Sequence, residues 1–199
     1  MKPILENALS LIGLFLIAVY VINATEIISL PVEFVRIPMF LLGPIAIIGV
    51  TSLEKNYRPV KEFVQVQAVG YNFLIVAFAI LTTMLVVQQA GSEIFDSLKE
   101  NDNANVTFKL TNSVHKGMDI AFDIFYSLGI LFFSLSFLKL KKLGFIIGLV
   151  GVASSLGLLV LNLITFPNSP KSAGLMDLGP ITIIWWVLIF TYANRKKQA

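Results

Sequence analysis

His115, Asp119 and Asp123 are the residues of this chain whose types and spacing could do chemistry. They lie at i, i+4 and i+8 of the stretch NSVHKGMDIAFDIFYS, residues 112–127. In a helix, each step of four residues turns by about 40°, so all three fall on one face. Imidazole changes charge near neutral pH. A carboxylate in apolar surroundings must pair or take up a proton. Such a face can bind a small molecule or ion, pass a proton, or offer three ligands to a metal.

The element that carries these residues reads as a membrane helix. The stretch runs on through LGILFFSLSFL, and the whole chain is 56% hydrophobic and only 14% charged, with mean hydropathy +0.83. Soluble domains carry about 25% charged residues. A 22.0 kDa globule cannot hide this much apolar side chain, so the apolar surface is expected to face lipid. Six segments are predicted to span: residues 4–23, 37–53, 63–88, 114–138, 143–166 and 178–193. The expected fold class is all-α, a single bundle of six transmembrane helices. Residues 89–113 form an acidic and polar extracytoplasmic loop, with room for a short amphipathic piece at 93–99. Backbone groups in lipid must bond internally, and the alternating pattern of a barrel is absent. The start of the chain, MKPILENALSLIGLFLIAVYVIN, shows no convincing cleavage site and is read as the first span.

Charge sets the expected orientation. Lys2, Lys55, Arg58, Lys61, Lys139, Lys141, Lys142, Arg195, Lys196 and Lys197 fall on one side of the predicted spans, ten of the fifteen basic residues. The positive-inside rule then puts both termini in the cytoplasm. The net charge of +3 is small and clustered beside apolar segments, which points to membrane orientation and not to nucleic acid. With no cysteine, disulfides, thiolate metal sites and cysteine nucleophiles are excluded. No Gly-rich phosphate loop, serine elbow or HxxxH pair is present, which argues against kinases, ATPases and serine hydrolases. Nothing in the sequence calls for a cofactor, and the oligomeric state is not legible.

Asp123 is expected about 13 Å below Val114 along its helix, near mid-bilayer. A carboxylate facing lipid there costs several kcal/mol, so it should face the bundle interior. Asn72, near the middle of its span, is expected at a similar depth, and Asn162 lies about one turn from the end of its own. Together with His115 and Asp119 they outline an outward-facing polar pocket. Each has a plainer reading. His115 and Asp119 can be solvated at the interface. Asp123 can make a structural hydrogen bond to Asn72 or Tyr126, and Asn162 can simply link helices. Asp177 reads as a helix N-cap. Gly144-x-x-x-Gly148 reads as a close helix contact, and Trp185 and Trp186 as bundle packing. The pieces LGPIAII (42–48) and LGPITII (178–184) echo each other without fitting a three-plus-three repeat. Pro180 falls in a first turn, whereas Pro44 must lie inside its helix and is expected to kink it.

The segment NLITFPNSPKSAGLMDLGPITIIWWVLIF, residues 162–190, carries Asn162, Phe166-Pro167, Ala173-Gly174, Asp177 and Gly179-Pro180 ahead of a tryptophan-bearing last helix. It resembles the closing part of bacterial six-helix integral membrane proteins grouped as domains of unknown function. The resemblance implies a fold and an inner-membrane location, and brings no catalytic residue. Three functions are compatible with the sequence. One is binding or carriage of a small molecule or ion, with proton coupling through Asp123. Another is a metal-dependent membrane hydrolase, for which a single histidine is few and a harder metal than zinc would be needed. The last is an accessory subunit without a site.

Overall fold

The computed structural model describes residues 32–56, 61–97, 104–170, 172–176 and 178–198. Among them every regular element is helical: α1 (Val32–Asn56), α2 (Val64–Ser97), α3 (Ala104–Leu135), α4 (Leu143–Thr165) and α5 (Gly179–Gln198), with short 3-10 turns at Lys61–Phe63 and Ser136–Lys139. The expected span at 4–23 lies outside the described residues, as do Lys171 and Asp177.

Among the described residues, three helical stretches are long and apolar enough to cross a bilayer: Val64–Gly91, Asn105–Lys139 and Leu143–Thr165. The surface of α4 is compatible with contact to lipid. Its buried face is Gly144, Ile147, Gly148, Gly151, Ser154, Ser155, Leu158 and Asn162. Its exposed face includes Phe145, Ile146, Leu149, Val160, Leu163 and Ile164. A helix at a water interface does the reverse, hiding its large apolar side chains. Small residues inside and large apolar ones outside are what close helix packing in lipid requires.

The helices α2 and α3 extend beyond the expected spans into the region read as a loop. α2 continues to Ser97, and α3 already begins at Ala104. At about 1.5 Å per residue, their 34 and 32 residues run to roughly 50 Å each, against a hydrocarbon thickness of about 30 Å. Loss of hydropathy ended the predicted spans. It does not end the helices, because the i to i+4 backbone bonds form with polar side chains as well.

The chain forms two compact units. Of the described residues, one contains 32–52, 78–97 and 104–119, the other 53–56, 61–77, 120–170, 172–176 and 178–198. In the first, Gly43 of α1 abuts Thr82 and the Phe78 carbonyl of α2, and Gly91 of α2 abuts Thr111 of α3. α1 stays helical through Pro44, which supplies no N–H to the carbonyl of Phe40. In the second, Gly70 and Gly129 let α2 and α3 meet backbone to backbone. A Cβ at Gly70 would stand 2.8 Å from the Phe133 nitrogen and 2.9 Å from the Gly129 oxygen. Around this contact are packed Tyr71, Leu74, Ile130, Phe133, Phe137, Ile147, Trp185 and Ile189. Tyr71 and Phe133 lie 5.0 Å apart between ring centres, and Trp185 meets Phe133 edge-on at 5.8 Å. Both tryptophans are therefore packing residues, 0% and 8% exposed. The chain reverses between α3 and α4 over Leu140 to Lys142, with Lys142 at φ 53. Gly144 then packs against Leu140, and Gly148 against the backbone of Phe137 and Leu138.

Candidate functional site

The site is built on α3 and α4 within the second unit. Asp123 is half-buried on α3, and Asn162 is 3% exposed on α4. Asn162 Nδ2 donates to Asp123 Oδ2 at 2.9 Å. The same nitrogen donates to the Leu158 carbonyl, four residues back, at 3.1 Å. A carboxamide nitrogen has two hydrogens, so both are engaged and the amide orientation is fixed. Asn162 Oδ1 is then buried with no hydrogen-bond partner among the described residues. Asp123 also has a further interaction besides this bond.

One turn along α3, Tyr126 begins a second link, to α5. Trp186 Nε1 donates to the Tyr126 hydroxyl at 2.9 Å, and that hydroxyl donates to Thr182 Oγ1 at 3.0 Å. Thr182 Oγ1 donates in turn to the Gly179 carbonyl at 2.6 Å. Each donor in this chain has an acceptor, and the chain closes on backbone. It is a neutral clamp between helices.

The other candidates fall elsewhere. Asn72 lies on the exposed side of α2, two residues before the fully buried Leu74. A step of two residues is about 200° of helix rotation, so Asn72 and Leu74 cannot share a face. The buried amide of α2 is Gln67, 1% exposed, whose Nε2 donates to Ser136 Oγ at 2.8 Å. Its signal was legible: Gln67, Tyr71 and Leu74 follow the i, i+4, i+7 rhythm of one face.

His115 and Asp119 are half-buried on α3 in the first unit. His115 Nδ1 is buried without a hydrogen-bond partner among the described residues. Asp119 has interaction partners. No group of three His, Cys, Asp or Glu side chains among the described residues stands close enough to hold a metal ion. The three-ligand arrangement read from the i, i+4, i+8 spacing therefore has no counterpart there. Eight residues of helix carry His115 and Asp123 about 12 Å apart along the axis, too far for one ion.

Ser134 Oγ and Trp185 Nε1 were not anticipated. Both are buried without partners among the described residues, and both abut Gly151. A serine inside an apolar run gives no sequence signal that separates such a place from ordinary packing. No family model, curated protein or solved structure matches this chain.

Proposed function

We propose that this chain is a six-helix protein of the bacterial inner membrane, both ends cytoplasmic, that binds or carries a small solute or ion at Asp123. The observation that carries this reading is the 2.9 Å bond from Asn162 to Asp123 between two membrane-length helices. An ionisable group inside a membrane segment is costly, and faces the bundle interior where function requires it. Asn162 holds the carboxylate in a defined place and leaves an acceptor of its own beside it. The apolar runs at 4–23, 37–53 and 178–193 support the further spans, the lysine and arginine asymmetry supports the orientation, and the resemblance over 162–190 supports the location. On that orientation the proposed site at Asp123 is reached from the outer side.

The test is flux in proteoliposomes that enclose a pH-sensitive dye. The folded wild type is expected to carry a proton or cation current that Asp123→Asn abolishes. Equal flux in the two proteins, or none in either, overturns the reading.

The same bond also favours a second reading, an accessory subunit in which Asp123 and Asn162 only fasten α3 to α4. That reading expects Asp123→Asn, which keeps a hydrogen-bonding group of the same shape, to preserve every measurable property.

A further inference from the structure

Three parts of the chain bring basic residues to one end of the second unit. The turn between α3 and α4 carries Lys139, Lys141 and Lys142, all three exposed. α5 meets this turn near its own end. The Tyr192 ring stands 6.1 Å from that of Phe137, and a Cβ at Gly144 would stand 3.2 Å from the Tyr192 hydroxyl. In the next turn α5 carries Arg195, Lys196 and Lys197 before it ends at Gln198. α2 runs antiparallel to α3, pairing Gln67 with Ser136 and Leu74 with Gly129. The 3-10 turn that holds Lys61 leads into α2, which puts it at the same end.

Acids are few there. From Ile124 to the end of the chain the sequence has a single one, Asp177, which comes before the start of α5. The stretch leading into α2 has Glu54 and Glu62 against Lys55, Arg58 and Lys61.

The lysine turn is held in shape from beneath. The Leu140 N–H donates to the Phe137 carbonyl at 2.9 Å, and the Leu140 side chain packs against Gly144. Lys142 stands at φ 53, a conformation that residues other than glycine seldom adopt. Directly after the turn, Phe145, Ile146 and Leu149 are exposed on α4. Cations beside an exposed apolar face match a phospholipid with a net negative headgroup. Its phosphate takes charge-assisted bonds from the ammonium groups, and its acyl chains lie along the apolar side chains. A soluble anion has no use for the apolar face. A zwitterionic lipid brings a cation of its own to the lysines.

We propose that this basic end binds an anionic phospholipid, with Lys139, Lys141 and Lys142 at its phosphate and Phe145, Ile146 and Leu149 along its chains. The proposal goes beyond the solute site, does not depend on Asp123, and rests on the membrane location. The same lysines count toward orientation. Orientation needs only their number beside the spans, whereas lipid binding needs the folded convergence.

The experiment is lipid capture by the full chain. Protein in maltoside detergent is mixed with equal amounts of dioleoyl phosphatidylglycerol and dioleoyl phosphatidylcholine, recovered on an affinity resin, and its bound lipid quantified. Each lysine beside anionic headgroups is worth about fivefold in binding, so wild type is expected to hold phosphatidylglycerol in about tenfold excess or more. The triple variant Lys139→Gln, Lys141→Gln, Lys142→Gln is expected to bring the two lipids to within about twofold of each other. Lys109→Gln, at an exposed lysine of α3 in the first unit, should leave the ratio unchanged. Where the triple variant does not fold, potassium chloride added to wild type decides, since screening should remove the excess. Equal capture of the two lipids by wild type, an undiminished ratio in the folded triple variant, or an excess insensitive to salt overturns the inference. Inorganic phosphate that displaces phosphatidylglycerol better than chloride of equal ionic strength would make this a site for a free anion, and would overturn the assignment to lipid.

Discussion

Two polar links leave α3 one turn apart. Asp123 reaches Asn162 on α4, and Tyr126 reaches Thr182 and Trp186 on α5. The Tyr126 link is neutral, and every donor in it is matched down to the Gly179 carbonyl. The Asp123 link carries an acid and leaves an amide oxygen buried beside it. The first arrangement is what a structural contact in lipid needs, since unmatched polar groups cost several kcal/mol there. The second places an ionisable group beside an unmatched acceptor. On the proposed reading, that difference separates a site from a clamp.

The largest expected effect of breaking this contrast is on function. Asp123→Asn should abolish flux in proteoliposomes while the protein remains folded by circular dichroism and elutes as wild type on size exclusion. Next is stability at the same link. Asn162→Leu leaves the carboxylate without its amide donor and should cost about 2 kcal/mol in reversible unfolding from detergent. A change below about 0.5 kcal/mol would mean the bond hardly matters. The Tyr126 link should give the opposite profile. Tyr126→Phe strands the Trp186 N–H and should destabilise by about 1 kcal/mol, yet leave flux unchanged. Flux lost in Tyr126→Phe at wild-type stability would erase the distinction between the two links. Smallest is Thr182→Val, which removes the two neutral bonds to Tyr126 and the Gly179 carbonyl while Tyr126 keeps Trp186. Membrane hydrogen bonds of this kind are worth about 0.6 kcal/mol, measurable as a small shift in the unfolding midpoint.

Much of the fold was legible because membrane helices leave strong signals. The start of α4 was predicted at Leu143, where the structure places it, and its end within one residue. The basic turn beside Lys139, Lys141 and Lys142 and the apolar run after it mark those limits physically. The extension of α2 to Ser97 and of α3 back to Ala104 was not legible. Hydropathy reports where lipid ends, and a helix can continue into water. The spacing of Asp123 on its face was visible, but its partner was not. Asn72, expected level with Asp123, looked the nearer partner by depth, and Asn162 was expected about one turn from the end of its span; rotation about the axis decides otherwise. Asn162 faces inward with Leu158, one turn before it, whereas Asn72 is turned away from Leu74. Rotational phase could have been read on α2 from Gln67, Tyr71 and Leu74, a rhythm that Asn72 breaks. The hydroxyl chain through Thr182 was beyond reach, because a threonine in an apolar helix satisfies itself on its own backbone as readily as it links to a neighbour.

Infrared difference spectroscopy of the carboxyl group at Asp123 tests the central claim most directly, since it needs no knowledge of any solute. Protein in lipid films is stepped in pH, wild type against Asp123→Asn. A functional acid predicts carboxyl or carboxylate bands that change with these conditions and vanish from the variant's difference spectrum. Identical difference spectra in the two proteins would show a carboxylate that never changes state, and Asp123 would be a fastening between α3 and α4 and nothing more.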